Sequence, residues 1–255
     1  MALKSEHGLS VFVHVDGEKW LLDAGQTDKI LYNANQAGID FEQLNGIIVS
    51  HGHYDHAGGV SHIVKSVDRA PVVYAHQLSA IAKYSVATGG GMKKPNGWLA
   101  VGDVDVAWLG SGVVQLSDKV KVFTLPQDAP KNERLMQQRC GVYEPDPFRD
   151  EIFTLITDSE GRTLLYAGCT HHTLELLLPY LFEELGIEKI DAFIGGLHLM
   201  GRSEEQIRES LEVSKRYNVG RWYVNHCTGD EAVKIWQAEY GDRCMQAWTG
   251  DVIEL

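Results

Sequence analysis

Three histidines and one aspartate fall within the six residues 51–56, HGHYDH. The segment follows an apolar run that is typical of a buried strand. Alternate side chains of an extended segment point to the same side, so His51 and His53 can share one metal ion. Asp55 and His56, beyond the bend, can reach a second ion. Imidazole and carboxylate ligands suit zinc, iron, manganese or nickel. The segment therefore predicts a site for one or two divalent transition metal ions, most readily zinc.

Other candidate ligands follow other predicted strands. Cys169 and His171 come after one strand, and Cys169 is either a ligand or bridge between ions or a buried inert thiol. His198 follows the next strand as a ligand, a proton donor or a packed core histidine. His226 follows the last buried strand and is interpreted as a ligand. Because one rim of a sheet gathers residues that are far apart in sequence, these residues are expected to converge on the metal site.

Two more polar residues at strand ends are expected to support the site. Asp23 ends an apolar hairpin and is interpreted as a structural aspartate that accepts backbone hydrogen bonds near the ligands. His76 follows a strand and is expected either to support the ligands or to lie on the surface. Neither residue is predicted to bind metal.

Strands and helices alternate irregularly around these residues. Val11, Val13 and Val15 alternate toward an Asp-Gly turn and predict a hairpin with residues 20–22. A second hairpin is predicted from residues 152–156 and 163–167. Helices are expected after Thr27 or Asp28 up to Gly38, after Thr173 with an interruption at Pro179, and after Ser203, which forms a capping box with Gln206.

Two stretches lack a sustained period. Residues 85–112 are predicted to be a loop excursion that borders the site, and residues 89–94 within it form either an anion cradle or a flexible loop. A second irregular stretch is expected over residues 126–149. The whole pattern predicts one α/β (α+β) domain over residues 1–255, with two sheets packed face to face and helices outside.

Composition narrows the class of protein. The formal net charge is −12, which argues against a nucleic-acid-binding surface of uniformly basic character. The sequence has no apolar run near the ~20 residues that cross a bilayer, so no membrane partner is expected. The first nine residues carry no signal-like apolar core, and none of the four cysteines forms a C-x-x-C pair. We therefore predict a cytoplasmic protein.

Residues 50–59, SHGHYDHAGG, resemble the metal-binding signature of the metallo-β-lactamase superfamily, and residues 21–25, LLDAG, resemble its first motif. Residues 6–9, 168–171, 195–199 and 226–229 are similar to a narrower branch named for a pterin-condensing synthase. The resemblance covers nearly the whole chain. It implies a four-layer αβ/βα sandwich, and a chain that lacks an opening strand usual in the branch, because the Glu-His-Gly motif comes so early.

The same resemblance implies the ligand assignment. It places His51 and His53 on one ion, Asp55 and His56 on the other, and His226 on the second ion. Many members take a further histidine from mid-chain, and many have Gly-Asp where this chain has Gly168-Cys169. His171 and Cys169 are the residues that could fill these two positions.

Three functions fit these residues. The leading hypothesis is hydrolysis of an anionic small molecule, a phosphoester or phosphodiester, with a metal-activated water. Asp55 would orient the water, and His198 or His171 would protonate the leaving group. The resemblance also allows group transfer to an aromatic carbon with a pyrophosphate leaving group. The third hypothesis is a non-catalytic protein that binds a metal or ligand. The sequence leaves the oligomeric state open.

Overall fold

The structure is a computed structural model that describes residues 2–87, 91 and 93–255. The chain divides into two compact units. The first unit contains residues 1–112 and 126–152, and the second contains residues 113–125 and 153–255. Each unit has its own apolar core, and the units are described separately below. The single domain over residues 1–255 stays a prediction.

The first unit contains a five-stranded sheet in the order β1-β2-β3-β4-β7. The strands are β1 (Val11–Val15), β2 (Glu18–Leu22), β3 (Gly46–Ile48), β4 (Val73–His76) and β7 (Val106–Leu109). Strands β1 and β2 are antiparallel, and the other neighbours are parallel. The helices are α1 (Lys29–Ala37), α2 (Tyr54–Ala57) and α3 (Val60–Ser66). Short 3-10 helices span Phe41–Gln43, Gln77–Ala80 and Val101–Asp103.

A second, antiparallel sheet in the first unit corrects both predictions of irregular structure. Its order is β11-β10-β5-β6. The strands are β5 (Lys83–Val86), β6 (Lys93–Pro95), β10 (Leu135–Arg139) and β11 (Val142–Pro145). The stretches 85–112 and 126–149 lack a hydrophobic period because most of β6 and β11 is exposed, so an apolar pattern could not reveal them. Half of the predicted anion cradle over residues 89–94, namely residues 89, 90 and 92, lies outside the described residues.

The second unit contains a seven-stranded sheet in the order β16-β15-β14-β13-β12-β9-β8. The strands are β8 (Val113–Gln115), β9 (Val120–Phe123), β12 (Phe153–Thr157), β13 (Thr163–Ala167), β14 (Ile190–Gly195), β15 (Val219–Val224) and β16 (Cys244–Gln246). Strands β13 to β16 are parallel. The helices are α4 (Leu174–Pro179), α5 (Glu204–Ser214) and α6 (Asp230–Tyr240), with 3-10 turns at His226–Thr228 and Gly241–Arg243.

Most of the predicted turns and caps are confirmed. Asp16 and Gly17 both have positive φ, 45° and 87°, as the two-residue hairpin turn requires. Gly38 ends α1 in the left-handed region and donates its N–H to Ala34 O. The second hairpin pairs β12 with β13, and the capping box of Ser203 opens α5. After Pro179, α4 changes to a π-helix over Tyr180–Glu184, as expected where proline removes an N–H donor.

The cores are built from large apolar side chains. In the first unit, Leu21, Ile47 and Val73 come from neighbouring strands and pack with residues of α3. In the second unit, Trp222 and Trp236 meet edge to face with their ring centroids 4.9 Å apart. Within the described residues, every helix is too short or too polar to cross a membrane.

Candidate metal centre

The candidate ligands of the first unit lie directly after β3. The chain leaves the strand at Ile48, bends at His51 and Gly52, and enters α2 after His53. His51 and His56 are fully buried, and His53 is 6% exposed. Gly59, one residue before α3, permits a close backbone approach, since a Cβ at this position would lie 2.0 Å from Ala24 O. The motif thus folds tightly against the end of β2.

The three imidazoles of this segment lie against one another. His51 Nε2 is 3.0 Å from His53 Nδ1, and the ring centroids of His51 and His56 are 4.3 Å apart. The contact between His51 and His53 agrees with the prediction that alternate residues share one side. The contact with His56 was not predicted from the strand pattern, because it depends on how α2 folds back.

Asp23 holds this cluster in place, as predicted. Its carboxylate accepts the backbone N–H of Ser50 at 2.6 Å and the Ser50 hydroxyl at 2.7 Å. It also lies 2.6 Å from His56 Nδ1. A proton on Nδ1 would be donated to the carboxylate, and His56 Nε2 would then be the nitrogen available to a metal. Asp23 therefore connects the first motif of the chain to the orientation of a candidate ligand.

Asp55 has a partner that the sequence interpretation missed. His7 Nε2 lies 3.3 Å from the Asp55 carboxylate, and the N–H of Leu9 donates to Asp55 O at 3.1 Å. A hydrogen bond to Asp55 raises the pKa of His7, against an opposing effect of burial. The motif containing Glu6 and His7 had been noted only as part of the resemblance, and its position before β1 gave no sign that it folds back onto α2.

Burial keeps His51 and His53 uncharged. Desolvation lowers the pKa of His51 well below its usual value and lowers that of His53 to about 3, with the neighbouring cationic groups acting in the same direction. A neutral imidazole is the form that binds metal. The four side chains therefore offer three buried imidazoles and one carboxylate, a donor set that fits a divalent transition metal.

The candidates of the second unit lie after three neighbouring parallel strands. Cys169 and His171 follow β13, His198 follows β14, and His226 follows β15. Cys169 Sγ lies within 4.8 Å of a donor nitrogen of His171 and, separately, of His226. The ring centroids of His171 and His198 are 4.3 Å apart. These strand ends thus bring their side chains together within this unit, and the ligand roles stay predictions.

Strained backbone accompanies these residues. His198, His226 and Thr170 have positive φ values of 50°, 49° and 56°. Such conformations cost roughly 1–3 kcal/mol each for non-glycine residues and cluster at functional sites. The Thr170 hydroxyl donates to Gly196 O at 2.6 Å, which ties the end of β13 to that of β14. The unit therefore offers one thiol and three imidazoles at one sheet edge, and this set also fits a transition metal.

The remaining predicted residues have structural roles. His76 is buried rather than on the surface, its Nδ1 accepts the N–H of Leu78 at 3.1 Å, and its Nε2 lies 3.2 Å from the Ser111 hydroxyl. Cys244 is buried in the second core, where desolvation raises the pKa of its thiol to about 11. All four cysteines are free thiols.

Sequence reasoning also missed a buried group beside the ligand segment. Asp150 Oδ2 accepts the Gly52 N–H at 2.8 Å, and Asp150 Oδ1 accepts from Lys83 Nζ at 2.9 Å. Asp150 follows a proline-rich stretch that had been interpreted as irregular. The feature of the sequence that could have indicated this buried group is DPFRD at residues 146–150, in which two aspartates flank a bulky apolar residue.

Comparisons with known proteins identify a superfamily. The family model described as the metallo-beta-lactamase superfamily matches residues 5–182. The chain is 28% identical to the 7,8-dihydropterin-6-methyl-4-(beta-D-ribofuranosyl)-aminobenzene-5'-phosphate synthase of Methanocaldococcus jannaschii, over 98% of this chain and 90% of that protein. It is 28% identical to the anti-Pycsar protein Apyc1 of Saccharibacillus brassicae, over 71% of this chain and 81% of that protein.

A solved structure is similar over nearly the full length. The crystal structure of Tm1679, described as a metal-dependent hydrolase of the beta-lactamase superfamily, gives a TM-score of 0.81 at 25% identity. The similarity covers 99% of this chain and 93% of that chain. These comparisons confirm the predicted resemblance and the predicted fold class, an α+β metallo-β-lactamase-like fold.

Proposed function

Because the chain belongs to the metallo-β-lactamase superfamily, whose members typically bind divalent metals, we propose that it is a metal-dependent hydrolase of an anionic small molecule, a phosphoester or phosphodiester. The observation that carries the proposal is the cluster of buried, neutral imidazoles beside Asp55. Similarity to a protein described as a metal-dependent hydrolase supports the same reaction class.

The proposed ligands come from both units. In the first unit they are His51, His53, Asp55 and His56, and in the second unit they are Cys169, His171 and His226. We propose one or two ions, with zinc preferred over manganese, iron or nickel because the set combines imidazole, carboxylate and thiolate. A divalent metal in such a set acts as a Lewis acid and lowers the pKa of a bound water to about 7.

The chain's own residues would then carry the proton transfers. Asp55 accepts a hydrogen bond from the attacking water and orients its lone pair toward phosphorus. As the P–O bond to the leaving group breaks, His198 or His171 donates a proton to the departing oxygen. The two rings lie against each other, with centroids 4.3 Å apart, so one histidine can orient the other.

Free thiols at all four cysteines support a reducing, cytoplasmic location.

A second candidate function is group transfer. The similarity to a synthase over 98% of this chain favours it, because the same ligands could hold a pyrophosphate leaving group while an aromatic carbon attacks. Fold and family alone are a weak basis for choosing between hydrolysis and transfer. The choice therefore depends on which product forms when an acceptor is supplied.

The test begins with protein purified without chelator. Metal content is measured first, and turnover is then measured on bis-p-nitrophenyl phosphate and p-nitrophenyl phosphate. Hydrolysis that is lost in Asp55→Asn but kept in His62→Ala, an exposed histidine of α3, supports the proposal. Product that forms only when an aromatic amine and a pyrophosphate ester are both present supports transfer. Thermal shifts with metal and no turnover on any substrate would indicate a binding protein.

A further inference from the structure

A buried ion cluster lies beside the ligand segment in the first unit. Lys83 Nζ, on β5, is 2.6 Å from Asp146 Oδ2 and 2.9 Å from Asp150 Oδ1. All three side chains are at most 2% exposed. Burying one cation with two carboxylates is expensive, and it replaces apolar contacts that would be at least as stabilising. The arrangement therefore calls for an explanation other than stability.

The cluster belongs to a segment that touches the ligand loop at three points. This segment, residues 146–152, is called the brace. The Phe148 ring meets the His53 ring edge on, with centroids 5.4 Å apart. The Asp150 carboxylate accepts the Gly52 N–H at 2.8 Å, and the Ile152 N–H donates to Ser50 O at 2.6 Å. The brace thus holds the backbone on both sides of His51.

Gly52 is fixed on another side as well. A Cβ at this position would lie 2.3 Å from Ser79 O, so the Gly52 backbone lies directly against the Gln77–Ala80 turn. The Gly52 backbone therefore cannot shift toward that turn. The Gly52 N–H donates to Asp150, and a rotation of the backbone at Gly52 would move both the His51 and the His53 imidazoles.

The brace itself is held in an unfavourable conformation. Phe148 has φ of 53°, which is rare for a bulky residue, and its N–H donates to Asp146 Oδ1 at 2.9 Å.

Burial lowers the pKa of Lys83, but the carboxylates of Asp150 and Asp146 outweigh burial, so the pKa of Lys83 is raised overall. Lys83 therefore stays charged and compensates the carboxylate that faces Gly52.

We propose that Asp150 is a positioning residue that sets the spacing of the His51 and His53 imidazoles through the Gly52 N–H, with Lys83 as its counter-charge. The proposal rests on the metal centre proposed above. It predicts that Asp150 acts on metal affinity without binding the metal. Asp146 provides a comparison, because it is also buried and also pairs with Lys83, at 2.6 Å against 2.9 Å for Asp150, but its carboxylate accepts the Phe148 N–H and not that of Gly52.

The test compares Asp150→Asn with Asp146→Asn by Co²⁺ titration, following the visible absorption of the bound ion. Both variants lose a buried carboxylate beside Lys83, so both should unfold at a lower temperature. Asp150→Asn should also weaken Co²⁺ binding about 10- to 100-fold and shift the absorption bands, as loss of a ligand-orienting partner does. Asp146→Asn should bind Co²⁺ like the unmodified protein. Equal affinities and spectra for the two variants overturn the proposal.

Two further measurements keep the outcome decisive. If Asp150→Asn does not fold, Asp150→Glu keeps the charge beside Lys83 but moves the carboxylate, and it should still weaken Co²⁺ binding. Unchanged binding in that variant overturns the proposal. In the metal-free protein, the Gly52 amide should resist hydrogen exchange as the β3 amides do, and fast exchange contradicts the bond.

Failure of the proposed function gives a different result. If the unmodified protein binds no Co²⁺ and no other transition metal, the metal centre itself is wrong. If it binds Co²⁺ and the two variants match, only the role of Asp150 is wrong. Asp103→Asn, in an exposed pair with Lys65, controls for the change in net charge.

Discussion

The two units present their candidate ligands in different ways. In the first unit, four candidates lie within the six residues 51–56. In the second, they are spread over the ends of three strands between Cys169 and His226. The strain differs as well. His53 has an ordinary φ of −84°, whereas His198 and His226 adopt left-handed conformations themselves.

The two units differ in which residues adopt the unfavourable backbone conformations. Near the candidate ligands of the first unit, the unusual backbone lies at residues that support them, Asp23 with φ of 55° and Phe148 with φ of 53°. In the second unit it lies at candidate ligands or next to them. A contiguous motif can rely on neighbours for its orientation, but isolated residues after strand ends must turn their own backbone toward the site.

The largest expected effect is removal of a ligand from the contiguous motif. His53→Ala should abolish stoichiometric metal binding, because it deletes a buried imidazole that contacts His51. The loss of affinity should exceed the roughly 10- to 100-fold typical of removing a ligand's partner. Metal analysis after dialysis measures the effect, with His62→Ala as the exposed control. Full metal content in His53→Ala would show that the motif is not the main site.

The next prediction tests whether the second unit contributes metal ligands. Cys169→Ala should lower metal content and activity more than Cys244→Ala, which changes only packing in the second core. Metal should also protect Cys169 from alkylation but leave the exposed Cys140 reactive. Mass spectrometry of alkylated protein with and without chelator measures this protection. Equal reactivity of Cys169 in both conditions would make it a structural thiol.

A smaller effect is expected from a residue that orients a ligand. Asp23→Asn removes charge from the group that accepts the Ser50 N–H and faces His56 Nδ1. Metal affinity should fall about 10- to 100-fold, as for other partners of metal-binding histidines. Asp28→Asn is the matched control, because Asp28 is exposed and makes no side-chain cap bond at the start of α1. Competition with a chromogenic chelator gives both affinities, and equal values would assign Asp23 to folding alone.

The smallest effect separates folding of the second unit from its ligands. Ser203→Ala removes the capping box of α5 and should lower the free energy of unfolding by about 1 kcal/mol. Urea denaturation measures this loss. Metal affinity should stay unchanged, since the cap lies on a helix and not at a strand end that carries a ligand. If metal affinity fell as well, the arrangement of the strand ends would depend on the free energy of unfolding of the second unit.

Sequence reasoning succeeded where a short segment contains both its pattern and its chemistry. The two hairpins and the stop at Gly38 are of this kind, and the signature at residues 50–59 predicted the family. It failed for β6 and β11, because exposed strands of a small sheet carry no apolar alternation, and for β10, whose buried position is the polar Gln137. It also missed Asp150, whose role depends on a contact with Gly52, 98 residues away. The roles of all the candidate ligands and proton donors, from His51 to His226, stay predictions.

The order in which the two units use the chain constrains how this protein can be made and divided. The chain leaves the first unit after residue 112, enters the second for residues 113–125, and returns for residues 126–152. A ribosome that has released only residues 1–112 has not yet supplied β10, β11 or the brace, so Lys83 lacks both of its carboxylate partners. We expect the nascent first unit to stay incomplete until residue 152 has emerged, and neither unit to be transferable as an uninterrupted genetic cassette.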